Sequence, residues 1–278
     1  MVKKFKLNWG IQIFILGAAN MCYPSEQDII SVLISALMKD YPSILLDVIF
    51  TDDLYSEALN VCESPEYLSF LQSLPVEEQV KCRDLNGMYI QPKDINGKQY
   101  ILVSNKQRKD GYSYISTVAH EAQHAINHSL FALDFCNNEF NQIYSHTYNT
   151  AFQIWDEFAA RRTGHRVFTT IVMPNYLGYS TDEIKDQLKN SERVCRLKEI
   201  DLLREQPVSL EIFKNIAGIL AMLSVWEQNF YIELEELDEW GIKFLRCLDG
   251  YASSSEVDYE LLHKKLSFLW DTIGQSHL

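Results

Sequence analysis

The sequence predicts an α+β fold, with a small mixed sheet and its helices in the first part of the chain and an all-α half after it. Three observations carry this. Strand-like runs are found no later than Ser104, long segments before and after it place apolar residues at helical spacing, and nothing beyond Pro174 has the quality of a strand. The chain has 278 residues, of which 47% are hydrophobic and 12% aromatic, enough to bury a large core and to exclude a disordered class.

Taken in order, MVKKFK followed by LNWGIQIFILGAA has the outline of a secretory signal: a basic start, an apolar stretch and small residues. Asn8 and Gln12 interrupt the apolar stretch, and IQIFIL also reads as a first β-strand. The strand reading is preferred and with it a cytoplasmic protein; secretion is the alternative. Pro24 and Ser25 open SEQDIISVLISALMKDY, in which Ile29, Ile30, Leu33, Ile34 and Leu37 keep helical spacing until Pro42 stops it. ILLDVIF, from Ile44 to Phe50, has the length and branching of a buried strand, and a polar, helical and looped segment follows through Leu74. GMYIQP (Gly87 to Pro92) and KQYILVS (Lys98 to Ser104) flank the turn residues Asp94, Asn96 and Gly97, which is a hairpin signal.

The polar loop NKQRKDG leads into a helix marked by Ile115, Val118, Ala119, Ala122 and Ile126. A second long helix is expected from near Asn141 to Arg162, on the apolar row through Tyr148, Phe152, Trp155 and Ala159, with Gly164 as its stop. A boundary near Pro174 to Ser180 divides the chain into a first unit, 1–174, and a helical unit, 175–278. In the latter, Ser180 with Glu183 and Ser253 with Glu256 have capping-box spacing, and SLEIFKNIAGILAMLSVW is apolar on nearly every side, as a central buried helix would be.

The net charge of −13 disfavours nucleic acid or an anionic membrane as a general partner, because phosphate binding needs clustered Lys and Arg. No stretch supplies ~20 uninterrupted apolar residues, so no membrane insertion is expected. The six cysteines, with no CxxC pair, read as scattered reduced thiols.

Chemistry concentrates in TVAHEAQHAIN. On a helix His120 and His124 stand on successive turns of one face and can reach one metal together. A catalytic zinc takes three protein ligands and keeps a position open for water. Glu121, one residue past the first histidine, can point at that water and serve as its general base. His128 lies one turn further; on a straight helix it stands about 12 Å above His120 and rotated about 80°, so it cannot share their metal and reads as a surface or structural residue. A Gly at 127 and a His at 130 would mark the metzincin pattern, but the chain has Asn127 and Leu130.

The third ligand is sought on the next helix, where WDEFAARRTG offers Glu157, with Asp156 in reserve. HEAQH followed by Glu157 and Ala160 resembles the gluzincin branch of the zinc metallopeptidases, in particular its small intracellular members, over about residues 87–164. The resemblance implies a zincin-like catalytic half, Zn2+ held by His120, His124 and Glu157, Glu121 as catalytic base, and a peptide or protein substrate. It also implies an edge strand that binds extended substrate, for which Tyr100 to Ser104 is the candidate. Where several gluzincins carry an acid or Asn to orient a ligating histidine, this chain has Arg161, so that role must fall elsewhere. Tyr144, His146, Tyr148 and His165 are candidates for stabilising an oxyanion. Two rival readings stand: a partner-binding module using the acidic run WEQNFYIELEELDEW, and a non-peptide amide hydrolase.

Overall fold

The computed structural model describes residues 25–109, 111–251 and 257–272. The expected strand IQIFIL, Cys22 and the Ser253–Glu256 capping box lie outside the described residues. Helix α1 (Glu26–Leu37) starts on a capping box, with Ser25 Oγ accepting from Asp28 N and Asp28 Oδ2 accepting from Ser25 N, and buries Ile29, Ile30 and Leu33. Strand β1 (Leu46–Thr51) follows, then α2 (Leu54–Val61) and α3 (Pro65–Ser73) in the segment expected to be helical and looped, and α4 (Val76–Asp84) beyond it. Strands β2 (Gly87–Ile90) and β3 (Gln99–Ser104) form the expected hairpin, its turn closed by Gly97 N donating to Asp94 O at 3.0 Å and Asn96 N to Asp94 Oδ1 at 2.9 Å.

The three-stranded mixed sheet has the order β1-β3-β2, with β3 parallel to β1 and antiparallel to β2. This overturns the edge-strand role of Tyr100 to Ser104. That segment is the central strand, with Ile101, Leu102 and Val103 fully buried, and among the described residues β1 and β2 are the edges. The segment from Ile44 to Phe50, expected to be a buried strand, correspondingly gives a half-buried edge strand among the described residues. Side chains alternate across β3. Ile101 and Val103 face α1 and the long helix α6 (Tyr114–Phe135), while Leu102 packs with Ile90, Leu54 and Ala58 on the other face.

After a four-residue turn of helix, α5 (Lys106–Lys109), helix α6 carries HEAQH across the sheet. The segment expected to begin the second long helix is a 3₁₀ stretch, Phe140–Ser145, and the helix proper, α7, runs Asn149–Val167. Gly164 does not stop it. The chain continues through a π-helical turn, Phe168–Val172, into α8 (Met173–Asn175). The helical half comprises α9 (Thr181–Gln187), a second π turn, α10 (Arg193–Arg204), α11 (Leu210–Phe230), α12 (Glu239–Asp249) and α13 (Tyr259–Thr272), with the expected Ser180–Glu183 capping box at its start.

The largest core joins the two halves. Phe152, Trp155 and Phe158 of α7 pack with Ile216, Leu220 and Trp226 of α11, the buried central helix the sequence pattern calls for. The described cysteines are free. Among the described residues no helix is long and apolar enough to cross a membrane. The acidic run from Trp226 to Trp240 is met by cations from elsewhere: Glu227 by Arg246, Glu236 by Arg193, Asp238 by Arg204 and Glu239 by Lys243.

Candidate metal centre

Helices α6 and α7 lie side by side and antiparallel, since His120 lies against Gly164 while His124 and His128 both reach Asp156. The close approach depends on Gly164, whose added Cβ would stand 2.9 Å from Ser116 O and 3.0 Å from His120 Cβ. Gly164→Ala therefore tests why the glycine is there. At an unconstrained helix position the exchange stabilises by roughly 0.8–1.0 kcal/mol. Here overpacking should reverse the sign and cost about 1–3 kcal/mol in urea unfolding; a gain in stability would show that the contact is not tight.

On this seam His120, His124 and Glu157 bring one donor atom each within 4.8 Å of one another. The Nε2 atoms of His120 and His124 are 3.1 Å apart, and Glu157 Oε2 lies 3.8 Å from His124 Nε2. Two imidazole nitrogens bound tetrahedrally to one zinc would stand about 3.3 Å apart, so the pair is spaced for a shared cation. The other ring nitrogen of His124 has the carboxylate partner that a metal-bound histidine commonly has. His124 Nδ1 is 2.8 Å from Asp156 Oδ2. Glu157 divides its carboxylate: Oε1 accepts from Arg161 Nη2 at 3.0 Å, while Oε2 faces His124. The ion pair with Arg161 and a ligand role are thus compatible, one oxygen for each.

Asp156 is not the third member of this cluster. It is buried beneath it, with Oδ1 accepting from Asn127 Nδ2 at 2.8 Å and Oδ2 facing both His124 Nδ1 and, at 3.0 Å, His128 Nε2. His128 does not join the His120 group, as helix geometry requires, yet it is no surface residue, because it shares this carboxylate with His124.

The electrostatics follow from burial and these contacts. Burial, with His124 and Arg161 alongside, holds His120 well below the ordinary histidine range. Burial also works against charge on His124, but the carboxylates of Asp156, Glu121 and Glu157 outweigh it and lift the imidazole to about 9. Desolvation likewise opposes the Asp156 charge, yet His124 and His128 prevail and hold that carboxyl well below the usual range. Glu121 is pushed up to about 7, mainly by burial and further by Glu157, against the pull of His124.

The cluster opens into a cleft of about 1010 Å³ between the sheet side and α11. Strand β2 forms one lip. Its Gly87 lies so near α6 that an added Cβ would be 2.5 Å from Thr117 Cγ2 and 3.1 Å from Glu121 Oε1. Ser104 N donates to Asn86 O at 2.9 Å, and Gly87 is paired with Val103. By the alternation of antiparallel ladders, Asn86, Met88 and Ile90 bond inward to β3, and the backbone groups of Gly87 and Tyr89 point to the open edge.

Of the four oxyanion candidates, Tyr144 and His165 line the cleft. Tyr144 Oη donates to Gln91 Oε1 at 3.3 Å. His165 Nε2 accepts from Trp226 Nε1 at 2.5 Å, and burial with Arg161 and Arg196 lowers it to about 3, so it is a neutral imidazole protonated on Nδ1. His146 and Tyr148 lie away from the cleft, packed on Phe135. The sequence pattern gave no separate sign of Gly87, nor of Asn127 and His128 as partners of Asp156. A signal for the last two exists: Asn127 and His128 lie three and four residues past His124, on the turn that faces the α7 acids.

No protein-family model, no curated protein and no solved structure matches this chain.

Proposed function

We propose that this protein is a zinc-dependent metallopeptidase with a zincin-like catalytic half, residues 1–174, and a helical half, 175–278. The observation that carries the reading is the convergence of His120, His124 and Glu157 on one point, with Glu121 beside them and the open edge of β2 alongside. His120 and His124 would bind through Nε2 and Glu157 through Oε2. Bound zinc supplies a Lewis acid that makes water a better nucleophile and polarises a carbonyl. Glu121 takes the proton from the attacking water and returns it to the leaving amine. The outward backbone groups of Gly87 and Tyr89 bind an extended peptide by adding it to the sheet, the task first expected of Tyr100 to Ser104. Of the four oxyanion candidates, Tyr144 and His165 line the cleft and could donate to a substrate oxygen there.

An edge that recognises extended backbone favours peptides over small non-peptide amides. The rival reading, a partner-binding module, loses its main support where four acids of the run at Trp226 to Trp240 are already paired. A cytoplasmic setting goes with the proposal, on the strand reading of IQIFIL and the free thiols.

Metal analysis tests the centre. The purified protein should carry about one zinc per chain, and the His120→Ala, His124→Ala double variant should lose most of it, since one carboxylate holds a catalytic ion poorly. Full occupancy in the double variant would end the metallopeptidase reading. Screening the wild type against a peptide library then identifies the substrate.

A further inference from the structure

Helix α6 carries polar residues beyond the motif, and together with α7 they form an unbroken hydrogen-bond chain. Thr163 Oγ1 donates to Gln123 Oε1 at 3.0 Å, Gln123 Nε2 to Asn127 Oδ1 at 2.8 Å, and Asn127 Nδ2 to Asp156 Oδ1 at 2.8 Å. Each amide is thereby oriented, because its oxygen accepts from one neighbour and its nitrogen donates to the next. The chain ends on one oxygen of a buried carboxylate. The other, Oδ2, meets His124 Nδ1 and His128 Nε2.

We propose that His128 is a positioning residue of the metal centre: with Asn127 it clamps Asp156 so that Asp156 holds the His124 ring with Nδ1 protonated and Nε2 turned to His120 and Glu157. The inference rests on the metal-site reading above. A carboxylate fixed only by the histidine it is meant to orient could turn with it. Here Asp156 is fixed on both oxygens by groups that are themselves fixed. The His128 ring is wedged edge-on between Tyr89 and Phe152, at 5.3 and 5.0 Å between centroids. That packing sets the direction of its Nε2, while Nδ1 is buried with no hydrogen-bond partner. With Nε2 as the protonated nitrogen, His128 donates to Asp156 Oδ2. Partners of this kind typically change metal affinity 10–100-fold when removed.

The test uses the full chain and zinc competition with a chromophoric chelator. His128→Phe keeps the ring packing and removes the donor. It should bind zinc about 10–100-fold more weakly, with a thermal midpoint near that of wild type. His128→Gln, whose amide nitrogen can replace Nε2–H, should restore most of the affinity. Asn127→Leu, which removes the clamp on the other oxygen, should weaken zinc in the same direction and serves if His128→Phe fails to fold. In 15N spectra of zinc-loaded, histidine-labelled protein, His124 should be the Nδ1–H tautomer in wild type and His128→Gln, and lose that single state in His128→Phe. Unchanged zinc affinity in His128→Phe and Asn127→Leu would overturn the inference and leave the metal centre standing. Two zinc ions per wild-type chain, one of them lost in His128→Phe, would overturn it differently, by making His128 a ligand. A wild type that binds no zinc defeats both the inference and the reading beneath it.

Discussion

Glu121→Gln should fold, keep its zinc and lose ~10²–10⁴-fold in the rate of peptide hydrolysis. The side chain is buried, and it lies 4.0 Å from His120 Nε2, beside the three donor atoms and not among them. An amide fills the same space under Gly87 and still hydrogen-bonds, but it cannot accept a proton from water near neutral pH. The metal donors are untouched, so zinc content and melting temperature should stay at wild-type values. A steady-state assay on whatever peptide the screen yields, with zinc measured on the same sample, reads both. A variant as active as wild type would mean that the cleft does not work by general-base hydrolysis. Loss of zinc along with activity would instead place Glu121 among the ligands.

Much of this site was legible in the sequence because helical spacing is geometry. His120 and His124 had to share a face, and the apolar pattern around them showed which face the sheet would cover. Glu157 was harder. Its neighbour Asp156 has the same chemistry and is one residue away, and only the twist of α7 against α6 separates a carboxylate beside His124 Nε2 from one beside His124 Nδ1. An i,i+4 ion pair with Arg161 is the ordinary fate of such a carboxylate, and here it occupies Oε1 while Oε2 faces His124, so the pair does not exclude a ligand role. Gly164 was read as a helix stop because a glycine marks either a terminus or a close approach, and composition does not distinguish them. The place of β3 in the sheet was invisible for another reason. The hairpin to β2 is a local signal, but the parallel partner β1 arrives from residues 46–51 and leaves no mark on the local pattern of β3. The run from Ile44 to Phe50 was legible as a strand, but with its pairing to β3 unseen, β3 was read as the free edge.

The largest stability effect is expected outside the cleft lining, at Asp249. Arg162, on α7 five residues past Glu157, is buried; its Nη2 donates to Gln228 Oε1 at 2.7 Å and lies 3.3 Å from Asp249 Oδ1. Asp249 also accepts from Ser224 Oγ at 2.9 Å and from Gln228 Nε2 at 3.0 Å. Burial lowers Arg162 and takes Arg166 to about 10; Asp249 opposes the shift in both, while Arg162 adds to it in Arg166. Asp249→Ala leaves these guanidinium groups without that carboxylate, and breaking a buried pair from one side costs about 3–5 kcal/mol. The urea midpoint should fall accordingly with its slope unchanged, as a loss of stability without a change in exposed surface requires. Arg162→Met combined with Asp249→Leu should recover much of the loss, since an apolar pair of similar volume avoids the stranded charge. A single variant as stable as wild type would mean the arginines find solvent or another partner. A double variant no better than the single would show that packing of α7 on α11, not charge, sets the cost. Because α7 also carries Glu157 and Asp156, the same titration followed by zinc release reports whether the helical half holds the metal centre in register. Under that view, zinc affinity falls in Asp249→Ala and returns in the double variant.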